Sequence, residues 1–123
     1  VASSGSDALE IIDVSTPSSP SHLTAFTDED ASQSQLEGPE SVIVTSYDFV
    51  PDRDFALFTT AGGILEMVEV TDPASASHVD SESLLGGPHS VFGLGNNAYV
   101  TNQGGDSLEI LTVSWFDLVR KYL

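Results

Sequence analysis

Gly87 to Ser114 reads GPHSVFGLGNNAYVTNQGGDSLEILTVS. Ser90 to Leu94, Ala98 to Asn102 and Leu108 to Val113 have the apolar content and length of short strands. Gly95-Asn96-Asn97 separates the first two, and Gln103 to Ser107 separates the second pair. Gly and Asn tolerate positive φ, and Asp and Ser form local side-chain turns, so both connections read as tight turns. The stretch is therefore three antiparallel strands in sequence order.

Most of the chain consists of imperfect copies of this unit. Leu108-Glu109-Ile110-Leu111-Thr112-Val113-Ser114 has counterparts in Leu65-Glu66-Met67-Val68-Glu69-Val70-Thr71 and Leu9-Glu10-Ile11-Ile12-Asp13-Val14-Ser15, 43 and then 56 residues earlier. After the two earlier copies, Pro17 matches Pro73 and His22-Leu23 matches His78-Val79. The opening of the unit recurs as well, with Gly38-Pro39-Glu40-Ser41-Val42-Ile43 lying 49 residues before Gly87-Pro88-His89-Ser90-Val91-Phe92. A period of roughly 40 to 50 residues holding about four strands is the pattern of a β-propeller blade. The expected fold is all-β: a partial β-propeller of about two and a half four-stranded antiparallel blades. The blade parts span 1–27, 38–83 and 87–114, making a repeat region over 1–114 with an atypical C-terminal tail over 115–123.

Two propeller families resemble this pattern. Tyr99-Val100-Thr101-Asn102, a Gly/Asp turn and Leu108-Glu109-Ile110 resemble the YVTN-type propellers of prokaryotic surface proteins. Leu9 to Ser15 followed by Pro17, with the opening Pro88-His89-Ser90-Val91, resembles the related LVIVD-repeat proteins. Val50-Pro51-Asp52-Arg53-Asp54-Phe55-Ala56-Leu57 is similar to the Pro-Asp-Gly turn between the first two strands of many blades, with Arg53 standing where Gly is usual. The resemblance covers residues 1–114. It implies a propeller fold and a secreted or cell-surface location. It implies no catalytic set, since propellers host many functions.

Closed propellers have about 4 to 8 blades, so 123 residues are too few to close a ring. Val1 falls by register inside a second strand, and the chain is accordingly expected to be a piece of a larger propeller, or to associate. The 19 acidic residues against 3 basic ones give a net charge of −16. That balance disfavours a nucleic-acid-binding role, because the charge that neutralises phosphates is missing, and it disfavours anionic membrane surfaces for the same reason. Acids spread over the whole chain with almost no Lys suit a salt-adapted protein, in which screening over about 3 Å at 1 M salt removes self-repulsion. An ordinary acidic extracellular protein is the alternative. The absence of Cys excludes disulfides and thiol chemistry. No apolar run approaches the ~18 residues that cross a bilayer, so no membrane insertion is expected.

Along the chain, Leu9 to Val14 and His22 to Thr27 are expected strands of the first unit. Ser41 to Tyr47, Phe55 to Thr60, Ile64 to Val70 and His78 to Ser83 are those of the complete second unit. Apolar residues on both faces of Leu9 to Val14 predict a strand covered on both sides. The tail, Trp115 to Leu123, breaks the pattern. Phe116, Val119 and Leu123 have helical spacing, and a substitute outer strand or foreign sequence are equally open readings.

Candidate sites are few. Asp28, Asp30, Ser32 and Glu37 resemble an oxygen-ligand loop for Ca²⁺, which takes six to eight hard oxygens. Gln33 in place of the required Gly and Pro39 at the twelfth position exclude an EF-hand, and a solvated acidic loop is the alternative. Asp48, Asp52 and Asp54 form a second acidic cluster with the same alternative. Glu40 and His89 occupy equivalent positions at the start of first strands, which in propellers line the central channel, and are candidate ligand-binding residues at its mouth. The competing role is hydrogen bonding within the loop. His22 and His78 start outer strands and are expected to be structural, and Tyr99 and Phe58 are expected to pack between blades. No nucleophile elbow, zinc-protease or phosphate-loop motif occurs. The expected function is a non-catalytic protein-interaction module of a secreted or cell-surface propeller, with a protein partner or self-association and no cofactor unless Ca²⁺ is bound. The alternatives are a propeller hydrolase or lactonase with a metal at the channel mouth, and a structural cell-surface repeat.

Overall fold

The computed structural model describes residues 1–27, 36–84, 86–114 and 117–121, the last two of these by backbone alone. The described residues form eleven strands and no helix. The first sheet is β1 (Ala2–Ser3), β2 (Ala8–Asp13) and β3 (Ser21–Phe26). The middle sheet is β4 (Pro39–Tyr47), β5 (Val50–Thr60), β6 (Ile64–Glu69) and β7 (Ser77–Ser83). The third sheet is β8 (Pro88–Leu94), β9 (Asn97–Asn102), β10 (Ser107–Ser114) and β11 (Asp117–Lys121). Each sheet is an antiparallel meander in chain order, and no strand closes one sheet onto another.

The same turn chemistry recurs at the same register. Asp7, Gly63 and Asp106 each immediately precede the strand that carries the Leu-Glu pair, and all three have positive φ, at 47°, 89° and 45°. Asp and Gly are among the residues that enter this region at low cost. Gly95, with φ 57°, leads the two-residue loop closing Leu94 onto Asn97, the type II′ arrangement whose twist matches paired strands. Pairing registers of the middle and third sheets coincide: Val42↔Phe58 and Leu57↔Met67 in one, Val91↔Val100 and Tyr99↔Ile110 in the other.

Two expectations change. The turn between β4 and β5 is Asp48-Phe49, with Tyr47 opposite Val50, and Pro51 to Asp54 belong to β5. The register jumps from Tyr47↔Val50 to Ser46↔Asp54, so residues 51–53 bulge out of the ladder. Tyr47 explains the early turn: its ring stacks on Phe49 at 5.4 Å and meets Phe55 at 5.7 Å, holding both sides of the hairpin together. Arg53 serves as an ion-pair partner, its Nη1 lying 3.1 Å from Glu69 Oε2. The pair is half-exposed and contributes little to stability. The other change concerns the tail. Of its three open readings, residues 117–121 take the outer strand, pairing with β10 from Ile110↔Lys121 to Ser114↔Asp117. Buried Leu118 beside exposed Asp117 and Val119 shows a period of two, and the Leu118 amide donates to Asp80 Oδ2 at 2.7 Å, tying β11 to β7. Trp115, Phe116, Tyr122 and Leu123 lie outside the described residues.

The middle sheet is covered on both faces. Phe55, Leu57, Leu65 and Met67 pack with Val91, Val100, Leu111 and Val113 of the third sheet. On the opposite face Ala56, Phe58 and Val68 pack with Leu9 and Phe26 of the first sheet and with Leu36. Phe58 is thus a packing residue between sheets, as expected, whereas Tyr99 is only half-buried.

Two glycines separate a backbone constraint from a side-chain one. A Cβ at Gly86 would lie 2.7 Å from the Gly105 nitrogen and 2.9 Å from its Cα, and φ there is 88°. At Gly93 it would meet only the tip of the Ile43 side chain, at 2.8 Å. Gly86→Ala is therefore expected to cost about 2 kcal/mol or more, and Gly93→Ala less than about 1 kcal/mol, in urea unfolding. Equal costs would mean that the close passage of 86 against 104–105 does not constrain the fold.

Burial also pushes the Tyr47 phenol up from its ordinary 10.0 to about 12. A neutral group with a raised folded pKa stabilises fully below the unfolded value. Its contribution is lost as pH rises through the window from 10 to 12. Wild type should lose about 2 to 3 kcal/mol more than Tyr47→Phe across that window in denaturant titrations. Parallel pH curves would place the hydroxyl in solvent.

Candidate functional site

β4 and β8, the first strands of the middle and third sheets, pack side by side. The Val91 amide donates to Ser41 Oγ at 3.3 Å, fixing their relative position. Both strands begin Gly-Pro-x-Ser, and the structure shows why these residues stand there. Gly38 and Gly87 take positive φ, at 59° and 68°, and Pro39 and Pro88 are buried. The next residue is skipped by the ladder: pairing passes from Pro39↔Thr60 to Ser41↔Thr59, and from Pro88↔Asn102 to Ser90↔Thr101. The skipped residues are Glu40 and His89. A bulge turns an extra side chain out of the sheet, and both are exposed at the same end of adjacent strands.

The structure thus gives the two candidate channel-mouth residues equivalent placements. A carboxylate and an imidazole there offer one acceptor and one switchable donor or acceptor. Among the described residues, no three His, Asp or Glu side chains converge as a metal site would require. The second acidic cluster is spread over exposed positions: Asp48 in the turn, Asp52 on the bulge and Asp54 where the ladder resumes. Of the candidate calcium residues, Asp28, Asp30 and Ser32 lie outside the described residues. Glu37 is exposed, its carbonyl accepting from the Gly62 amide at 3.3 Å, and Asp7 Oδ1 accepts from the Gly38 amide at 2.9 Å.

Both outer-strand histidines pair with a glutamate twelve positions earlier in the chain. His22 Nε2 lies 2.6 Å from Glu10 Oε2, and His78 Nδ1 lies 3.1 Å from Glu66 Oε2. A register shift on the outer strand, at Leu23 and at Val79, puts each His on the face of its Glu. Glu66 is fully buried between the first and middle sheets, whereas the Glu10 pair faces outward in part. In the third sheet Glu109 instead accepts from Asn102 Nδ2 at 2.8 Å. The twelve-residue spacing of Glu and His is present in the sequence of both units.

One feature has no counterpart in the sequence reading. An apolar cleft of about 510 Å³ opens between the first and middle sheets, lined by Leu9, Ile11, Val42, Val44, Ala56 and Val70 among others. It lies where β1 is short: Ala2 and Ser3 pair with Leu9 and Ala8, and Val1 with Glu10, so among the described residues positions 11–13 of β2 have a neighbour strand only in β3. Val44 is left exposed beside it. Only tertiary packing creates this space. Neither the known protein families nor the curated proteins include a match to the chain.

Proposed function

We propose that this chain is a non-catalytic protein-interaction module of partial-propeller type, salt-adapted and acting outside the cell or at its surface. The observation that carries the reading is the distribution of exposed apolar side chains. Val1, Ile12 and Val14 project from the first sheet, and Phe92, Leu94, Leu108 and Val119 from the third, although the chain has 19 acidic residues available for its surface. Leu23 and Val44 are exposed as well, and exposed apolar groups on an otherwise acidic surface favour a contact site. The resemblance to surface propellers supports the location, and the acidic composition supports the salt adaptation.

Two measurements test the reading. In 0.1 M salt the native chain should shift the emission of Nile red, a neutral solvatochromic dye, and Phe92→Ser with Leu108→Ser should reduce that uptake while leaving the unfolding midpoint unchanged. Lactone and ester substrates with added Ca²⁺ or Zn²⁺ should show no turnover. Absence of dye uptake by the native chain, or turnover that disappears in Glu40→Gln and His89→Ala, overturns it.

A further inference from the structure

The two outer faces correspond, residue for residue, to the two halves of a contact made inside the chain. Leu65 and Met67 on β6 face the third sheet and are fully buried in one cluster with Leu111 and Val113. In the sequence register their counterparts on β10 are Leu108 and Ile110, which alternation places on the outer face of the third sheet. Leu108 is 51% exposed there. The half of that contact supplied by Leu111 and Val113 has its counterpart in Ile12 and Val14 of the first sheet, exposed by 41% and 63% and also lining the cleft beside the middle sheet. Even the polar feature recurs: Glu109 is buried in the contact between middle and third sheets, Glu66 in that between first and middle sheets, and Glu10 lies partly open on the outer face of the first.

On this basis, and resting on the interaction-module reading above, we infer that the partner is a second copy of this chain. It docks head-to-tail, the outer face of the third sheet of one copy covering the outer face of the first sheet of the other. The contact repeats the share of the middle–third packing made by β6 and β10; the share made by β8 has no counterpart among the described strands of the first sheet. Charge agrees: along β8 to β10 the outward alternation runs Phe92, Tyr99, Leu108, Ile110 and Thr112 without an acid, in a chain of net charge −16. A heterologous contact either closes or propagates into a filament. Two copies of the three described sheets give six, inside the range of about 4 to 8 found for closed propellers, and the proposed closed form is the dimer.

The chain has no cysteine, which allows a position-specific test. Ile12→Cys and Leu108→Cys variants are prepared singly and mixed in 2 M KCl, where screening removes repulsion between acidic copies, then treated with a short bismaleimide. The expected result is a cross-linked pair in the mixture and none in either variant alone. Light scattering on the unmodified chain should give a dimer mass, and Leu108→Ser should raise the dissociation constant about 30-fold with an unchanged near-ultraviolet dichroism spectrum. A monomer at 100 µM overturns the inference while leaving the interaction-module reading to its own dye and turnover tests. Cross-linking within one variant overturns the head-to-tail arrangement, and growth beyond the dimer overturns ring closure.

Discussion

Phe58→Ala is expected to lower the unfolding free energy by about 3 to 5 kcal/mol, a large share of the roughly 5 to 15 kcal/mol that holds an ordinary domain. Phe58 has no exposed surface, and it packs with Leu9 and Phe26 of the first sheet, with Leu36, and with Ala56 and Val68 of its own sheet. Its removal leaves a void at the junction that holds the first sheet to the rest. Among the described residues the first sheet has three strands, and β2 beyond Glu10 lacks a neighbour on the β1 side, so it cannot close around the loss. The cost should therefore be local as well as global. Amide exchange in β2 and β3 should accelerate more than in β9 and β10. Phe55→Ala, which empties the opposite cluster, should reverse that order. Phe92→Ala, on a side chain 62% exposed, should stay within about 0.5 kcal/mol for the dilute chain. Exchange that accelerates uniformly in the Phe58 variant would show that the three sheets unfold as one unit.

The strands were legible because their punctuation is chemical. Asp7, Gly63 and Asp106 mark the same turn in three sheets, and Gly38-Pro39 and Gly87-Pro88 mark the same strand entry in two. The strand limits read from sequence differ from those observed mostly at their ends. Pro51-Asp52 was misleading because turn residues specify only a local preference, while the stacking of Tyr47 on Phe49 closes the hairpin earlier. The tail was undecidable for a related reason. Phe116, Val119 and Leu123 fit a helix, but the open edge of β10 and the carboxylate of Asp80 reward an extended chain, and neither is visible locally.

The candidate site was legible in part. The matching placement of Glu40 and His89 followed from the repeated Gly-Pro-x-Ser, since the same residues build the same bulge. The cleft beside β2 could not be read, because it arises from the gap between one short strand and the sheet next to it. The Glu10–His22 and Glu66–His78 pairs were written in the twelve-residue spacing, yet the outer-strand register shift that joins them appears only in the pairing.

The melting temperature should rise on the order of 10 °C between 0.1 M and 2 M KCl. Two like charges 10 Å apart in water repel by about 0.4 kcal/mol, and the chain carries 19 acids against 3 bases, a net charge of −16. Of the bases, Arg53 is already engaged by Glu69, so little internal neutralisation remains. Folding draws these charges together, and the sum opposes it by several kcal/mol until salt shortens the Debye length from about 10 Å at 0.1 M to about 3 Å at 1 M. The shape of the curve identifies the cause. Screening acts mainly below about 1 M and then saturates, whereas exclusion of salt from apolar surface continues to grow with concentration. A steep early rise, reduced by replacing exposed acids such as Asp48 and Asp52 with Asn, is the expected signature. A flat or falling curve removes the salt-adapted reading, and with it the reason to expect that two acidic copies could meet through their apolar end faces only at high salt.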